Sequence, residues 1–282
     1  MNKDFWGVDQ DAGSLRQFIK RYLTRYDRWD SPKFLFGESY GTARSCGLAY
    51  LLHEDGVDLN GVTLQSSILD YAEAGDPANL LPTLCADAWF HKKVTISPAP
   101  ADLVAFMQQV VPFARQRYAK ALAAFPNADP ATMRALSEDT GISEVVLTSW
   151  EGLNVGDRDA EGRLRFLTTL MQSEGKVLGA YDGRVLGVGT GIAASINPRS
   201  GGNDAAMTAV NGASTAMWNS YLEDGLKFLS TSSFTDLNDR AFANWDFRHV
   251  DPTGAQKGLD ADGNVVLYTA GDLAATMALK ST

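Results

Sequence analysis

Lys33-Phe34-Leu35-Phe36-Gly37-Glu38-Ser39-Tyr40-Gly41-Thr42-Ala43 is the stretch from which the rest of this 282-residue chain can be read. The apolar run Phe34 to Phe36 leads directly into Gly37-Glu38-Ser39-Tyr40-Gly41, a G-x-S-x-G sequence in the strand-then-helix setting that such a pattern requires. Small residues around Ser39 let the backbone turn from strand to helix within a few positions. The seryl oxygen is then held out on a strained bend where a substrate carbonyl reaches it. Ser39 is therefore the candidate nucleophile, on an elbow whose glycines are Gly37 and Gly41.

Upstream, Leu15, Phe18, Ile19, Tyr22, Leu23 and Tyr26 recur at helical spacing, with Asp9 or Asp11 available to cap the start. The aromatic members of this stripe are expected in the core, because apolar periodicity mostly reports burial. Trp29-Asp30-Ser31-Pro32 breaks the helix, and Lys33 to Phe36 reads as a short buried parallel strand. Thr42 to His53 supplies the helix after the elbow, and Val62 to Ser66 the next strand, reached by a right-handed crossover. Helix, strand, elbow, helix, strand predicts an α/β chain built on the centre of an α/β-hydrolase sheet.

From Ala72 the pattern changes to helix, as expected of a cap or insertion. Leu80 to Lys92 is helix-like, Pro98-Ala99-Pro100 punctuates, and Asp102 to Phe125 is a long helical run that Pro112 should kink. Asp129-Pro130 is a cap and first-turn pair, Gly141 can close that helix, and Ser143 to Trp150 offers another. Asp182-Gly183 within Lys176 to Leu186 signals a type I′ hairpin, and Thr208 to Phe228 returns to helix. The expected organisation is a core with its elbow over 1–70, a mainly helical cap over 71–207, and a return toward the core over 208–282.

A formal charge of −9 argues against a nucleic-acid partner and for a small or peptidic one. No apolar stretch approaches the ~20 residues of a membrane helix, and Met1 to Asp11 lacks the apolar segment of a signal peptide. Cys46 and Cys85 read as buried thiols. No His, Cys or carboxylate spacing predicts a metal, and no cofactor motif stands out. Gly187-Val188-Gly189-Thr190-Gly191 lacks phosphate-binding spacing and reads as a flexible turn. Asp260, Asp262 and Gly263 read as a turn, because the remaining ligands of a calcium loop are missing.

The elbow with its preceding Ser31-Pro32-Lys33-Phe34 resembles the serine carboxypeptidase family, in particular its bacterial branch. Asp4-Phe5-Trp6-Gly7-Val8-Asp9, Leu81-Pro82-Thr83, His91-Lys92 and Tyr221-Leu222 to Leu226-Lys227 are similar to the same branch. The resemblance implies that Ser39 attacks the last peptide bond of a substrate and forms an acyl-enzyme. It implies that the Tyr40 amide donates to the oxyanion, and that Glu38 holds the substrate's C-terminal carboxylate through a shared proton, favouring acidic pH. It also implies a periplasmic or secreted parent.

Two family features are missing from the sequence: the Asn-Gly-Gly-Pro-Gly segment ahead of the elbow, and a His in an Ala-Gly-His setting near the end. The chain thus reads as truncated at both ends, without the triad Asp and His. Asp246 and His249 are a close acid–His pair downstream, and at three residues apart they suit a local surface hydrogen bond better than a triad arm. His53 and His91 read as polar helix ends. The expectation is a serine-type carboxypeptidase that is inactive as this chain. Alternatives are a non-catalytic remnant or interaction protein, and an esterase or acyltransferase on the same framework. A two-strand parallel core would expose edges and apolar faces, which invites completion by another chain.

Overall fold

The computed structural model describes residues 4–159, 163–188, 204–208, 210–231, 241 and 243–280. They form a mixed α/β chain that separates into two compact units, Met1–Ala74 with Arg240–Thr282, and Gly75–Asp239. The described residues of 210–231 fall in the second of these units. Among the described residues no helix is long and apolar enough to cross a membrane.

In the first unit, α1 (Val8–Arg25) leads to β1 (Phe34–Glu38), α2 (Tyr40–Glu54) and β2 (Gly61–Gln65). β1 and β2 pair in parallel, with Phe34 opposite Gly61 and Glu38 opposite Gln65. Leu35, like Leu15 and Ile19 of α1, packs against the cluster of Leu23 of α1, Leu48 and Leu52 of α2, and Val57. The helices therefore cover the Leu35 face of the sheet. Phe34 and Phe36, whose side chains alternate to the other face, are 69% and 66% exposed. The strand is parallel as its sequence predicts, but it is buried on one face only.

α1 carries a second departure. It begins after Gly7 without a side-chain cap, so neither Asp9 nor Asp11 caps it. Phe18, Tyr22 and Tyr26, expected in the core, are 62%, 47% and 56% exposed. They form an outward ladder, with ring centroids 6.2 Å and 4.8 Å apart. The apolar stripe of α1 is wide enough to hold two rows at i, i+4 spacing, and only Leu15, Ile19 and Leu23 find partners inward.

α2 is buried on several sides, at Thr42, Ala43, Ser45, Cys46, Gly47, Leu48, Ala49 and Leu52. Its small residues admit α1, β1 and α11 (Ala270–Lys280) closely. The returning segment is stitched to the start of the chain. Val8 N donates to Asp246 O at 2.9 Å and Thr269 N to Leu69 O at 2.9 Å. Leu267 is buried with Val8 and Ala43, and the short strands β5 (His249–Val250) and β6 (Gln256–Lys257) form an antiparallel pair between.

The second unit is mainly helical. After the short α3 (Tyr71–Gly75) at the boundary, α4 (Pro77–Phe90) is capped by Asp76, whose carboxylate accepts from Ala78 N. α5 (Leu103–Phe113) gives way to a π-helical stretch, Ala114–Tyr118, before α6 (Ala119–Ala124). Pro112 has no N–H to give the helical ladder, and the widened turn follows directly. α7 (Pro130–Thr140) has Asp129 as its cap and Gly141 in the left-handed region, φ 69°, at its end; α8 (Glu144–Ser149) starts from Ser143. α9 (Arg165–Thr169) follows, and Leu81, Leu84, Phe106, Val110, Tyr118, Leu136, Leu147 and Phe166 form the core.

β3 (Lys176–Leu178) and β4 (Leu186–Val188) pair as the expected hairpin. Its turn is not type I′, since neither Asp182 nor Gly183 has positive φ; a longer loop closes with Val185 N donating to Asp182 O. Gly187 and Val188 belong to β4, and Gly189, Thr190 and Gly191 lie outside the described residues. α10 (Asn211–Ser220) ends in a π-helical turn, Tyr221–Gly225.

Candidate functional site

Ser39 occupies the single-residue turn between β1 and α2 at φ 52°, ψ −123°. Such a conformation costs a non-glycine residue about 1–3 kcal/mol and persists only where the surroundings over-determine it. Here they do. Ser39 N donates to Gln65 O of β2 at 3.1 Å, and Ser39 O accepts from Thr42 N at 2.9 Å and from Thr42 Oγ1 at 2.6 Å. Thr42 Oγ1 in turn accepts from Ile68 N at 3.0 Å. Strand, helix and the loop after β2 all grip the turn.

The two elbow glycines are not equivalent. A Cβ on Gly37 would lie 2.1 Å from Gly41 O and 2.6 Å from Ser45 Oγ, so only glycine lets β1 approach α2 this closely. A Cβ on Gly41 would meet nothing nearer than Arg44 Nη1 at 3.9 Å. Tyr40 opens α2, and its amide is one of the leading N–H groups that a helix cannot satisfy internally. An oxyanion beside Ser39 would meet such a donor. The Tyr40 ring stacks edge-on against Trp245 at 5.2 Å under the Arg44 guanidinium. Burial pushes its hydroxyl well above the usual tyrosine range, and that hydroxyl has no hydrogen-bond partner among the described residues. Glu38 is exposed at the end of β1, and Ser66, after β2, shares the positive φ of Ser39, at 49°. The sequence reading did not single out Ser66; it carries no motif.

The sequence has three histidines, and each has another partner. His53 Nδ1 lies 3.0 Å from Asp58 Oδ1, and His91 Nε2 lies 2.7 Å from Gly183 O. His249 departs from expectation. It forms no surface pair with Asp246, whose carboxylate takes Arg248 Nε and Nη2 at 2.8 Å and 2.6 Å. His249 is instead 5% exposed, with Nδ1 2.6 Å from Asp9 Oδ1 and Nε2 3.0 Å from Asp272 Oδ1. Its ring lies against α2 near Gly47, where a Cβ would be 3.9 Å from Cε1. Gly47 is eight positions beyond Ser39, about 12 Å along a helix axis, outside the reach of a general base.

Burial pulls the His249 pKa down, but hydrogen bonds to Asp272 and Asp9 outweigh it and raise the group to about 9. It is an imidazolium at neutral pH and the countercharge of Asp272, which is 1% exposed with Oδ2 lacking a hydrogen-bond partner among the described residues. Both nitrogens are occupied and the ring is protonated, so His249 orders the first unit and cannot accept a proton from Ser39. Asp9 also accepts from Val250 N at 3.0 Å. Burial pushes the Cys46 thiol up to about 11 and Cys85 well above the usual thiol range; both are buried and unbridged. Among the described residues no group of three or more His, Cys, Asp or Glu is placed to hold a metal ion. No family model, curated protein or solved structure matches this chain, so the functional reading rests on its own residues.

Proposed function

We propose that the chain carries the nucleophile portion of a serine carboxypeptidase-like α/β-hydrolase, with Ser39 as acyl acceptor and peptides as substrate. The observation that carries this reading is the backbone of Ser39, held at a strained positive φ between a parallel strand and a helix start. In the reaction Ser39 Oγ adds to the carbonyl of the C-terminal peptide bond and the Tyr40 amide donates to the oxyanion. Glu38 receives the terminal carboxylate. The proton of Ser39 must go to a base, and the three histidines are engaged elsewhere. Ser39 in this chain is therefore presented but unactivated, and turnover needs an imidazole from outside it.

Fluorophosphonate labelling read by intact mass tests this, with added imidazole standing in for the missing base and Ser39→Ala as control. The expected result is slow labelling of the folded chain, accelerated by imidazole, lost in Ser39→Ala and lost on unfolding in urea. Equal acceleration in folded and unfolded protein would overturn the reading. A blocked dipeptide and a small ester, offered under the same conditions, separate carboxypeptidase from esterase chemistry. The commitment of all three histidines favours a second reading, a non-catalytic binding protein, which predicts specific peptide binding without any imidazole-dependent labelling.

A further inference from the structure

The open edge of β1 and the bare face behind it belong to the same residues. Lys33 O accepts from Asn60 N and Ser39 N donates to Gln65 O, so the odd-numbered residues of β1 direct their backbone groups toward β2. By the alternation of a strand, Phe34, Phe36 and Glu38 direct theirs to the opposite edge. Among the described residues β1 pairs with β2 alone. The side chains of Phe34 and Phe36 stand on the uncovered sheet face. Residues 34–38 contain no proline or lysine, their ladder with β2 has no bulge, and the one charge on that edge, Glu38, stands at its end.

We propose that this edge pairs with the same edge of a second copy of the chain, giving one four-stranded sheet in the order β2-β1-β1-β2. Three features favour a second copy over another occupant. First, the strand is self-complementary. With a two-fold axis through Phe36, the central residue of β1, Phe36 faces its own counterpart and Phe34 faces the partner's Glu38, so every outward backbone group meets another. Second, that antiparallel register sends the two Glu38 carboxylates to opposite ends, whereas parallel pairing would set them side by side in a chain of formal charge −9. Third, exposed apolar area of the order that a dimer needs is at hand. Leu35 of β1 joins the same cluster as Leu15, Ile19 and Leu23 of α1, the helix that carries the exposed row of Phe18, Tyr22 and Tyr26. At about 200 Å² per ring side chain, these three with Phe34 and Phe36 expose about 600 Å², to which the strand edge adds, against the ~800 Å² per partner of a standard interface. A two-fold contact also closes on itself, where a head-to-tail one would propagate.

This inference is independent of the role of Ser39. The test is a crosslink on the axis. In an antiparallel hydrogen-bonded pair the two Cα atoms stand about 5.5 Å apart, within disulfide range. Phe36→Cys should therefore form a linked dimer under mild oxidation, and Phe34→Cys/Glu38→Cys should do so with one bridge on each side of the axis. Phe34→Cys alone should not. The native Cys46 and Cys85 are buried and stay silent. Light scattering should give twice the 30.5 kDa chain mass for the unmodified protein. Phe36→Lys should weaken dimerisation at least tenfold with unchanged far-UV circular dichroism, and Val145→Lys, at an exposed site in the other unit, should leave it unchanged. A monomer at every soluble concentration, aggregates that grow without limit, or a dimer indifferent to Phe36→Lys would each overturn the proposal.

Discussion

His249 Nε2 lies 3.0 Å from Asp272 Oδ1, and both side chains are almost wholly buried. This pair, extended by Asp9 on the other ring nitrogen, joins α1, β5 and α11 through charge. Its electrostatics fix the direction of a pH effect. The folded pKa of about 9 exceeds the 6.5 of a free imidazole, so the stabilisation is fully present below pH 6.5 and is lost as pH rises through 9. The size is on the order of 3 kcal/mol. Urea unfolding between pH 6 and pH 10 should show it, and a flat profile would remove the charged pair from the account.

His249→Ala should cost about 3–5 kcal/mol at neutral pH, because it strands the buried Asp272 carboxylate. Asp272→Asn in the same background should recover part of that loss. Additive destabilisation in the double variant would show that the two residues are not coupled.

Gly37→Ala and Gly41→Ala should separate sharply. The first drives a methyl into Gly41 O and should cost about 3 kcal/mol or more, as overpacking against backbone does. The second enters open space in the first turn of α2 and should be neutral or stabilising by up to about 1 kcal/mol. Thermal unfolding of the two variants side by side gives the comparison.

Ser39→Gly should be more stable than Ser39→Ala by about 1 kcal/mol, since only glycine adopts positive φ without strain. Equal stabilities would mean that the turn relaxes once the hydroxyl is gone.

In the helical unit, the buried Tyr118 hydroxyl donates to Leu153 O at 2.9 Å and accepts from Val155 N at 3.0 Å. Tyr118→Phe leaves both backbone groups without that partner and should cost about 2–4 kcal/mol. Amide exchange at Val155 should accelerate; unchanged exchange there would contradict the role given to the hydroxyl.

What the sequence conveyed was local. Asp129, Gly141 and Ser143 mark helix ends because caps act within a turn, and Gly37 to Gly41 marks a strand-to-helix turn because its sterics are confined to five residues. Two kinds of feature escaped. The row of Phe18, Tyr22 and Tyr26 reads as core because periodicity shows an apolar stripe without showing how much of it finds a partner. The setting of His249 is set by Asp9, 240 positions away, and by Asp272, 23 away, so a carboxylate close in sequence, Asp246, was the wrong partner.

That separation has a consequence for the order in which the molecule is made. Asp9 leaves the ribosome long before residue 249, and at ordinary synthesis rates the wait is about 10–50 s. During it the first 74 residues, with the strained Ser39 turn, lack the segment that covers Ala43 and supplies the partner of Asp9 at the start of α1. The helical unit, made in between, has its own core and can fold first. The nascent chain therefore carries an unfinished first unit while the helical unit is already complete, and it is in this interval that a chaperone would have most to shield.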